Sequence, residues 1–452
     1  MSGADRERTR LSSGKSDARR TSLDRELRWL NAQISLESTA LPSAGETEGL
    51  GNDTVMSLLR LLGDPHLDAP VIHLTGTNGK GSTAHIISLI LREHGLRVGT
   101  YSSPHVSAIN ERIQIDAEPI TDDNFAESLE VVRLAAEHGE VSASWFDLMT
   151  ATAFRTFSDA AVDVMVIEVG MLGRYDSTNV VNSVVSVVTN ISKDHTDGAP
   201  GWREKVALEK AGIVKPGSTL VIGDVDDDLQ HFFVDEGPAT VLRYGPQIEL
   251  VTNGLGVGGR VIDVRTTRDV YEAMMVSLHG RHQGVNAALA IGAAEAFLEA
   301  PLDHEHLTTA LGQAKMRGRF EVLAVEPLIV VDGGHNPQGA RTAAKTFAES
   351  FHNFGQRILI VGMMDEKDPV EMLQALDAAS AELVICCSVD WPRAMPTAKL
   401  AQAARSLGIE PEIAENPSDA VEVALTFATE ADAILAAGSL YVAGAVRDRI
   451  LS

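Results

Sequence analysis

Leu23, Leu27, Leu30 and Ile34 recur at helical spacing in LDRELRWLNAQISL, and TVMSLLRLLGD repeats the same kind of pattern, so helices precede the first strand. Short β-branched runs then alternate with helical stretches. VIHLTG, VGTYSSP, DVMVIEVG, SVVSVVTNIS and STLVIGD each read as a buried strand, an order that predicts a mostly parallel sheet covered by helices on both faces. Between about 240 and 280 the pattern changes: VLRYGP, GGRVIDVRTT and EAMMVSLHG alternate apolar and polar residues between glycines, as antiparallel hairpins do. The helical stretch GVNAALAIGAAEAFLEA closes this first unit near residue 299. Beyond it LIVVDGG, RILIVGMM, ELVICCSV and ADAILAAGS repeat the buried-strand signature with helices between them.

The expected fold class is therefore α/β: a P-loop-type, mostly parallel sheet domain with a small antiparallel section over residues 23–299, followed by a smaller Rossmann-like α/β domain over 300–452. A length of 452 residues agrees with more than one core. Residues 1–22 mix charge with Ser and Gly and have little to bury, so a disordered tail is expected there. No apolar run approaches the ~18 residues of a membrane span, and no hydrophobic segment near the N-terminus reads as a secretory signal, which points to the cytoplasm. The only cysteines, Cys386 and Cys387, are adjacent in an apolar run and read as reduced, buried thiols on opposite faces of a strand. A formal net charge of −25 argues against nucleic acid as a partner, so any anionic ligand has to be held by local devices.

HLTGTNGKGST supplies such a device. A strand predicted to end at Leu74 is followed by Gly76, Gly79 and Gly81, with a helix expected from about Ser82. Glycines let backbone N–H groups converge, and a helix N-terminus favours anions. Lys80 can reach β- and γ-phosphates, and the hydroxyl of Ser82 or Thr83 can meet Mg²⁺. The spacing departs from G-x-x-x-x-G-K-[ST], with two residues between Gly76 and the Gly79-Lys80 pair and Gly81 before Ser82. A plain glycine turn is the alternative, but lysine and hydroxyls at these positions favour a nucleoside triphosphate.

Glu168 ends a predicted parallel strand and so faces the crevice where ligands of open sheets bind; it reads either as a Mg²⁺ ligand or as a capping or paired acid. The next strand ends before KDHTD, which brings Asp194, His195 and Asp197 to the same edge. By composition alone His195 is a loop histidine.

Taken together the motifs resemble the folylpolyglutamate synthase/dihydrofolate synthase family, within the Mur-ligase-like ATP-dependent amide ligases. The resemblance runs from about Leu23 through PHLDAPVIHLTGTNGKGSTA, SSPH, NERIQIDAEPI, EVGMLGRYDSTN, DHTD, EKAGIVKPG, LHGRHQGVNAALA, RGRFEVL, DGGHNPQGA, GMMDEKD and GSLYVAGAVR. It implies transfer of the γ-phosphate of ATP to a carboxylate of a pteroate or folate, then attack by the amine of L-glutamate. It further implies that Thr77 to Thr83 (Thr77, Asn78, Gly79, Lys80, Gly81, Ser82, Thr83) bind the nucleotide. Ser82, Ser103 and Glu168 would hold one Mg²⁺, and Glu168 with His195 a second. Lys210, in EKAGI, matches a lysine that the family carbamylates, although a lysine before Gly212 also suits a helix C-terminus.

Asp176, in GRYDSTN, matches the family position near the pterin or pteroate, with Arg174 beside it as a partner for a substrate carboxylate; a surface turn is the alternative for both. Asn286, Arg319, Asp332 and His335 match residues that face the nucleotide from two domains; an Asx turn at Asn336-Pro337 is the other reading of His335. Relatives of this kind act as monomers. Three positions depart from the family: Leu172 stands for the first glycine of GGR, Ser177 for a common alanine, and Arg317 for the proline before Gly-Arg. The same groups serve dihydropteroate and polyglutamate chemistry, so both remain open. Two rivals stand beside this reading: a Mur-type ligase acting on another carboxylate, and a nucleotide-binding regulator without chemistry.

Overall fold

A computed structural model describes residues 22–35, 44, 51–193, 196 and 198–452. The expected N-terminal tail and the segment holding Asp194, His195 and Asp197 lie outside the described residues, apart from Ser22, which opens a helix over 22–31. Leu23, Leu27 and Leu30 of that helix pack onto the first domain, as their spacing predicted.

The first domain is built on an eight-stranded sheet. Its strands are β1 (Val71–Thr75), β2 (Val98–Tyr101), β3 (Ile113–Ile115), β4 (Glu118–Pro119), β5 (Val164–Glu168), β6 (Val185–Asn190), β7 (Thr219–Asp224) and β8 (Thr240–Arg243). Their order is β4-β3-β2-β5-β1-β6-β7-β8, and every pair from β2 to β8 is parallel. Strand polarity explains why both faces are covered. Ile72 and Leu74 of β1 enter one core with Val164 and Val166 of β5, while Val71, Met165 and Ile167 enter the other.

Two details differ from the sequence pattern. VLRYGP, expected in a hairpin, contains β8, which pairs parallel with β7; only β9 (Glu249–Gly256), β10 (Gly259–Arg265) and β11 (Val270–Val276) form the separate antiparallel sheet. Among the described residues β8 has one sheet neighbour, and its side chains are exposed or half-exposed, so its sequence lacks the apolar run of an inner strand and mixes polar with apolar residues as a hairpin strand does. The domain boundary also lies later than residue 299. Leu302, Leu307, Ala310, Leu311 and Ala314, from the helix His304–Gln313 and its flanks, are buried in the core of the first domain. The chain therefore crosses between domains after Ala314, and a PLDH start signal marks a helix and not a new core.

The second domain carries a six-stranded sheet in the order β12-β13-β17-β14-β15-β16. These are β12 (Glu321–Val325), β13 (Leu328–Val331), β14 (Arg357–Val361), β15 (Leu383–Cys386), β16 (Glu412–Ile413) and β17 (Ala433–Ala437). Only the β12–β13 pair is antiparallel. Cys386 and Cys387 fall into the cores on opposite faces of this sheet, and burial pushes both thiols up to about 12. They are free and unreactive in that state. Among the described residues no helix is long and apolar enough to cross a membrane.

Candidate active site

β1 lies between β5 and β6, while the chain passes from β1 to β2 on the far side of β5. The crossovers therefore diverge beside β1, and a crevice opens at the carboxyl ends of β1, β5 and β6. The loop 76–79 fills it. Gly76 has φ +146° and Gly79 φ +85°. A Cβ on Gly76 would stand 1.9 Å from Thr189 Oγ1, and one on Gly79 2.5 Å from Asn286 Oδ1, so neither place admits a side chain. The helix Lys80–Glu93 begins at Lys80, two residues before the expected start at Ser82.

The end of β6 braces this loop. Asn190 O accepts from Thr77 N–H at 3.0 Å, Asn190 Oδ1 accepts from Asn78 N–H at 3.0 Å, and its amide donates to Asn78 O at 2.9 Å. Thr189 Oγ1 donates to the same carbonyl at 2.7 Å. Lys80 Nζ folds back onto the carbonyls of Gly76 and Thr77, at 3.1 and 3.4 Å. Lys210, 3% exposed, donates to Gly76 O at 2.8 Å. Two cations thus converge on one carbonyl at the root of the loop.

Glu168, at the end of β5, is 5% exposed and accepts from Ser103 N–H at 3.2 Å. Burial pushes its carboxyl above the ordinary 4.5, against the opposing pull of Lys80, the Ser103 N–H, Arg319 and Arg112. Ser82 is buried and accepts weakly from Gln283 Nε2 at 3.5 Å. A desolvated carboxylate beside serine hydroxyls is an all-oxygen donor set, which fits Mg²⁺. Among the described residues no group of three or more His, Cys, Asp or Glu could hold a metal.

The second domain closes the cleft from the opposite side. Asn336 Nδ2 donates to Asn78 Oδ1 at 2.9 Å, and Asn78 Nδ2 donates to Gln338 Oε1 at 2.6 Å. Asn336 also caps the helix Pro337–Ser350, so the N-terminus of that helix faces the loop. Asp332 accepts from Phe320 N–H at 3.0 Å and Gly334 N–H at 2.8 Å; burial raises its carboxyl, opposed first by Arg319. A cleft of about 360 Å³ joins Thr77 to Ser82, Ser103, Glu168, Asn286, Arg319, Asp332 and His335. Burial, then Arg319 and Arg260, hold His282 at about 4, neutral near pH 7.

Other expected residues do not reach this cleft. Arg174 donates to Leu208 O at 3.1 Å and to Glu236, so its charge is paired within the domain. Asp176 accepts from Met171 N–H at 2.8 Å, Thr178 N–H at 3.0 Å and the Thr178 hydroxyl, and it caps the turn Ser177–Val180. Its carboxylate is bonded within its own loop, in a buried turn and not a surface one. Thr83 is fully buried and does not line the cleft. Several lining residues were missed: Asp224, Gln283, Gln338, Glu366, Lys367, Trp391, Arg393 and Tyr441. Trp391 stacks on Tyr441 at 5.1 Å with its indole N–H unpartnered, and an aromatic pair of residues fifty apart leaves no mark in local periodicity.

Leu172 occupies its glycine-like place with φ +56°, is 3% exposed, and packs beside Ala44 and Val206. Replacing it separates packing from backbone strain. Leu172→Ala should lose about 2–5 kcal/mol of stability through the cavity it leaves. Leu172→Gly should nevertheless be the more stable of the two by roughly 0.5–1 kcal/mol, because the ~1–2 kcal/mol left-handed cost exceeds the entropy penalty of glycine. Denaturant unfolding of both variants checks the order; an alanine variant equal to or above the glycine one would show that the backbone here is unstrained.

A phosphate loop on a parallel sheet, closed by a second α/β domain, defines an ATP-dependent amide ligase of the Mur type: residues 74–294 match the Mur ligase middle domain and 318–440 the Mur ligase glutamate ligase domain. Within that class, the dihydrofolate synthase/folylpolyglutamate synthase of Mycobacterium tuberculosis is 33% identical over 432 residues, covering 87% of this chain and 88% of that one. The chain belongs to the folylpolyglutamate synthase/dihydrofolate synthase family. Crystal structures of M. tuberculosis folylpolyglutamate synthase complexed with ADP and AMPPCP superpose with a TM-score of 0.87 at 30% identity, over 96% of this chain and 99% of that one. The bifunctional enzyme of Yersinia pestis complexed with AMPPNP and Mn ion gives 0.81 at 26% identity, over 95% and 98%.

Proposed function

We propose that this protein joins L-glutamate to the free carboxylate of a dihydropteroate or a reduced folate, with ATP consumed through an acyl phosphate. The observation that carries the reading is the convergence of Lys80 and Glu168 from the first domain with Arg319 and Asp332 from the second on one cleft. In the first step an acceptor carboxylate oxygen attacks the γ-phosphorus and ADP leaves. In the second the glutamate nitrogen attacks the acyl carbon, phosphate leaves, and the amine gives up its proton to form the amide.

The chain's own groups fit this sequence. Backbone N–H groups of the loop and Lys80 hold the transferring phosphate and offset the charge gathering on its oxygens. Arg319 adds a second cation from the opposite wall, so only the closed pair of domains completes the site and shields the acyl phosphate from water. Ser82, Ser103 and Glu168 would hold Mg²⁺, which when bound neutralises the phosphate oxygens; their oxygen donors lining one cleft support this. His195 joins this proposal by resemblance only. Lys210 belongs to it as well: a carbamate nitrogen keeps one N–H for Gly76 O while adding an anionic group beside the loop. One chain supplies both walls of the cleft, which supports a monomer, and the acidic surface supports a cytoplasmic enzyme with no nucleic-acid or membrane partner.

The test is ADP release by the purified protein with ATP, Mg²⁺ and L-glutamate, adding dihydropteroate or tetrahydrofolate separately and weighing the products. Glutamate-dependent release with dihydropteroate alone identifies a dihydrofolate synthase, with tetrahydrofolate alone a folylpolyglutamate synthase, and with both a bifunctional enzyme. Release with neither would transfer the assignment to another carboxylate.

A further inference from the structure

Arg317 stands at the crossing between domains, after the last core residue of the first, Ala314, and two residues before Arg319 in the cleft. Its Nη1 donates to Glu111 Oε1 at 2.7 Å. Glu111 is 8% exposed, and its other oxygen accepts from Val106 N–H at 2.8 Å and Ser107 N–H at 3.2 Å. One carboxylate thus ties the crossing to segment 102–112. That segment begins at Ser103, whose N–H is bonded to Glu168, and returns through the bond from Ser102 N–H to Arg112 O at 2.9 Å.

The same segment touches the second domain directly. Ser107 Oγ donates to Asp448 Oδ1 at 2.6 Å. A Cβ on Gly444 would stand 2.3 Å from Val106 O, and one on Gly318 3.3 Å from Val106 Cγ1. Segment 102–112 is therefore gripped at three points, and among these the Glu111 contact is the ion pair, made to Arg317 of the interdomain crossing beside Gly318. Burial pushes the Glu111 carboxyl up, but the Val106 N–H, Arg317 and the Ser107 N–H outweigh it and hold the group below its ordinary range.

We propose that Arg317 is a positioning residue: by clasping Glu111 it holds segment 102–112 to the interdomain crossing, so that Ser103 and Arg319 enter the cleft in register when the domains are closed. The proposal rests on the ligase reading for its kinetic consequences, while its mechanical content stands on the geometry alone. An ion pair that only stabilised the fold would lower the unfolding midpoint and leave turnover of the folded enzyme unchanged.

The experiment compares wild type, Arg317→Ala, Arg317→Lys, Glu111→Gln and the double variant Arg317→Ala/Glu111→Gln in the full chain. ADP release gives kcat and KM, and amide hydrogen exchange at Val106 and Ser107 gives the state of the segment. Arg317→Ala should lower kcat about tenfold with KM for L-glutamate within about twofold, and Arg317→Lys should recover part of the loss. The double variant should be no slower than Arg317→Ala, because both substitutions break one contact. Exchange at Val106 and Ser107 should rise in Arg317→Ala. A kcat within about twofold of wild type, or losses that multiply in the double variant, overturns the proposal. Wild-type protein with no glutamate-dependent ADP release rejects the ligase reading instead; unchanged exchange in Arg317→Ala then still overturns the clasp, and raised exchange upholds it. Half of the Arg317 side chain is exposed, at 51%, so its removal leaves the cores intact.

Discussion

Lys80→Ala is expected to lower the rate of ADP release by about 10²–10³-fold or more, the cost of removing one group that stabilises charge in a phosphoryl-transfer transition state. The fold should survive. Among the described residues Lys80 bonds to Gly76 O and Thr77 O, whereas the loop itself is held by Thr189 and Asn190 through four bonds independent of that lysine. Because the charge builds up during transfer, kcat should fall more than KM for ATP rises. Steady-state ADP release on a variant with an unchanged unfolding midpoint measures this, and turnover close to wild type would remove Lys80 from the phosphate site.

Glu168→Gln should separate stability from activity in opposite directions. Burial places the folded pKa of Glu168 above its ordinary 4.5, so its contribution to stability is complete below 4.5 and is lost as the pH rises through the higher folded value. At neutral pH the burial of this acid in the metal-free protein therefore costs stability, a cost that a neutral amide of the same shape removes. The ligand-free variant should unfold no earlier than wild type at pH 7. ADP release should nevertheless drop by about 10²–10³-fold, and the Mg²⁺ needed for half-maximal rate should rise, since an amide cannot replace an anionic metal ligand. The same competition between proton and metal makes Mg²⁺ dependence steeper in wild type as the pH is lowered. A normal Mg²⁺ titration in the variant would remove Glu168 from the metal site; earlier unfolding of the apo variant would mean that its charge is compensated within the fold.

Legibility in the sequence followed how local each signal is. Buried parallel strands announce themselves because every side chain of β1 and β5 is buried, which demands mostly apolar runs broken only at His73 and at the strand ends Thr75 and Glu168. The phosphate loop is equally local, since its glycines, lysine and hydroxyls act within a few residues of one another. β8 misled because an edge strand mixes polar with apolar residues as a hairpin strand does, and the domain boundary misled because a helix start looks the same whichever core receives it. Arg174 and Asp176 were legible only by resemblance, while their partners, Glu236 sixty-two residues away and the turn Ser177–Val180, came from the fold.

The sequence by itself determined the α/β class, the glycine-rich loop entering a helix at 76–83, the strand-end position of Glu168 and the opposed burial of Cys386 and Cys387. Each depends on side-chain period and backbone freedom over a handful of residues. The tertiary structure decided which strands neighbour β1, how Asn78 meets Asn336 and Gln338, why Trp391 and Tyr441 share a wall, and which carboxylate Arg317 pairs with. Those contacts join residues 50 to 260 positions apart, and the free energy that selects them comes from burying two domain cores and closing one on the other, a quantity that no short window of sequence contains.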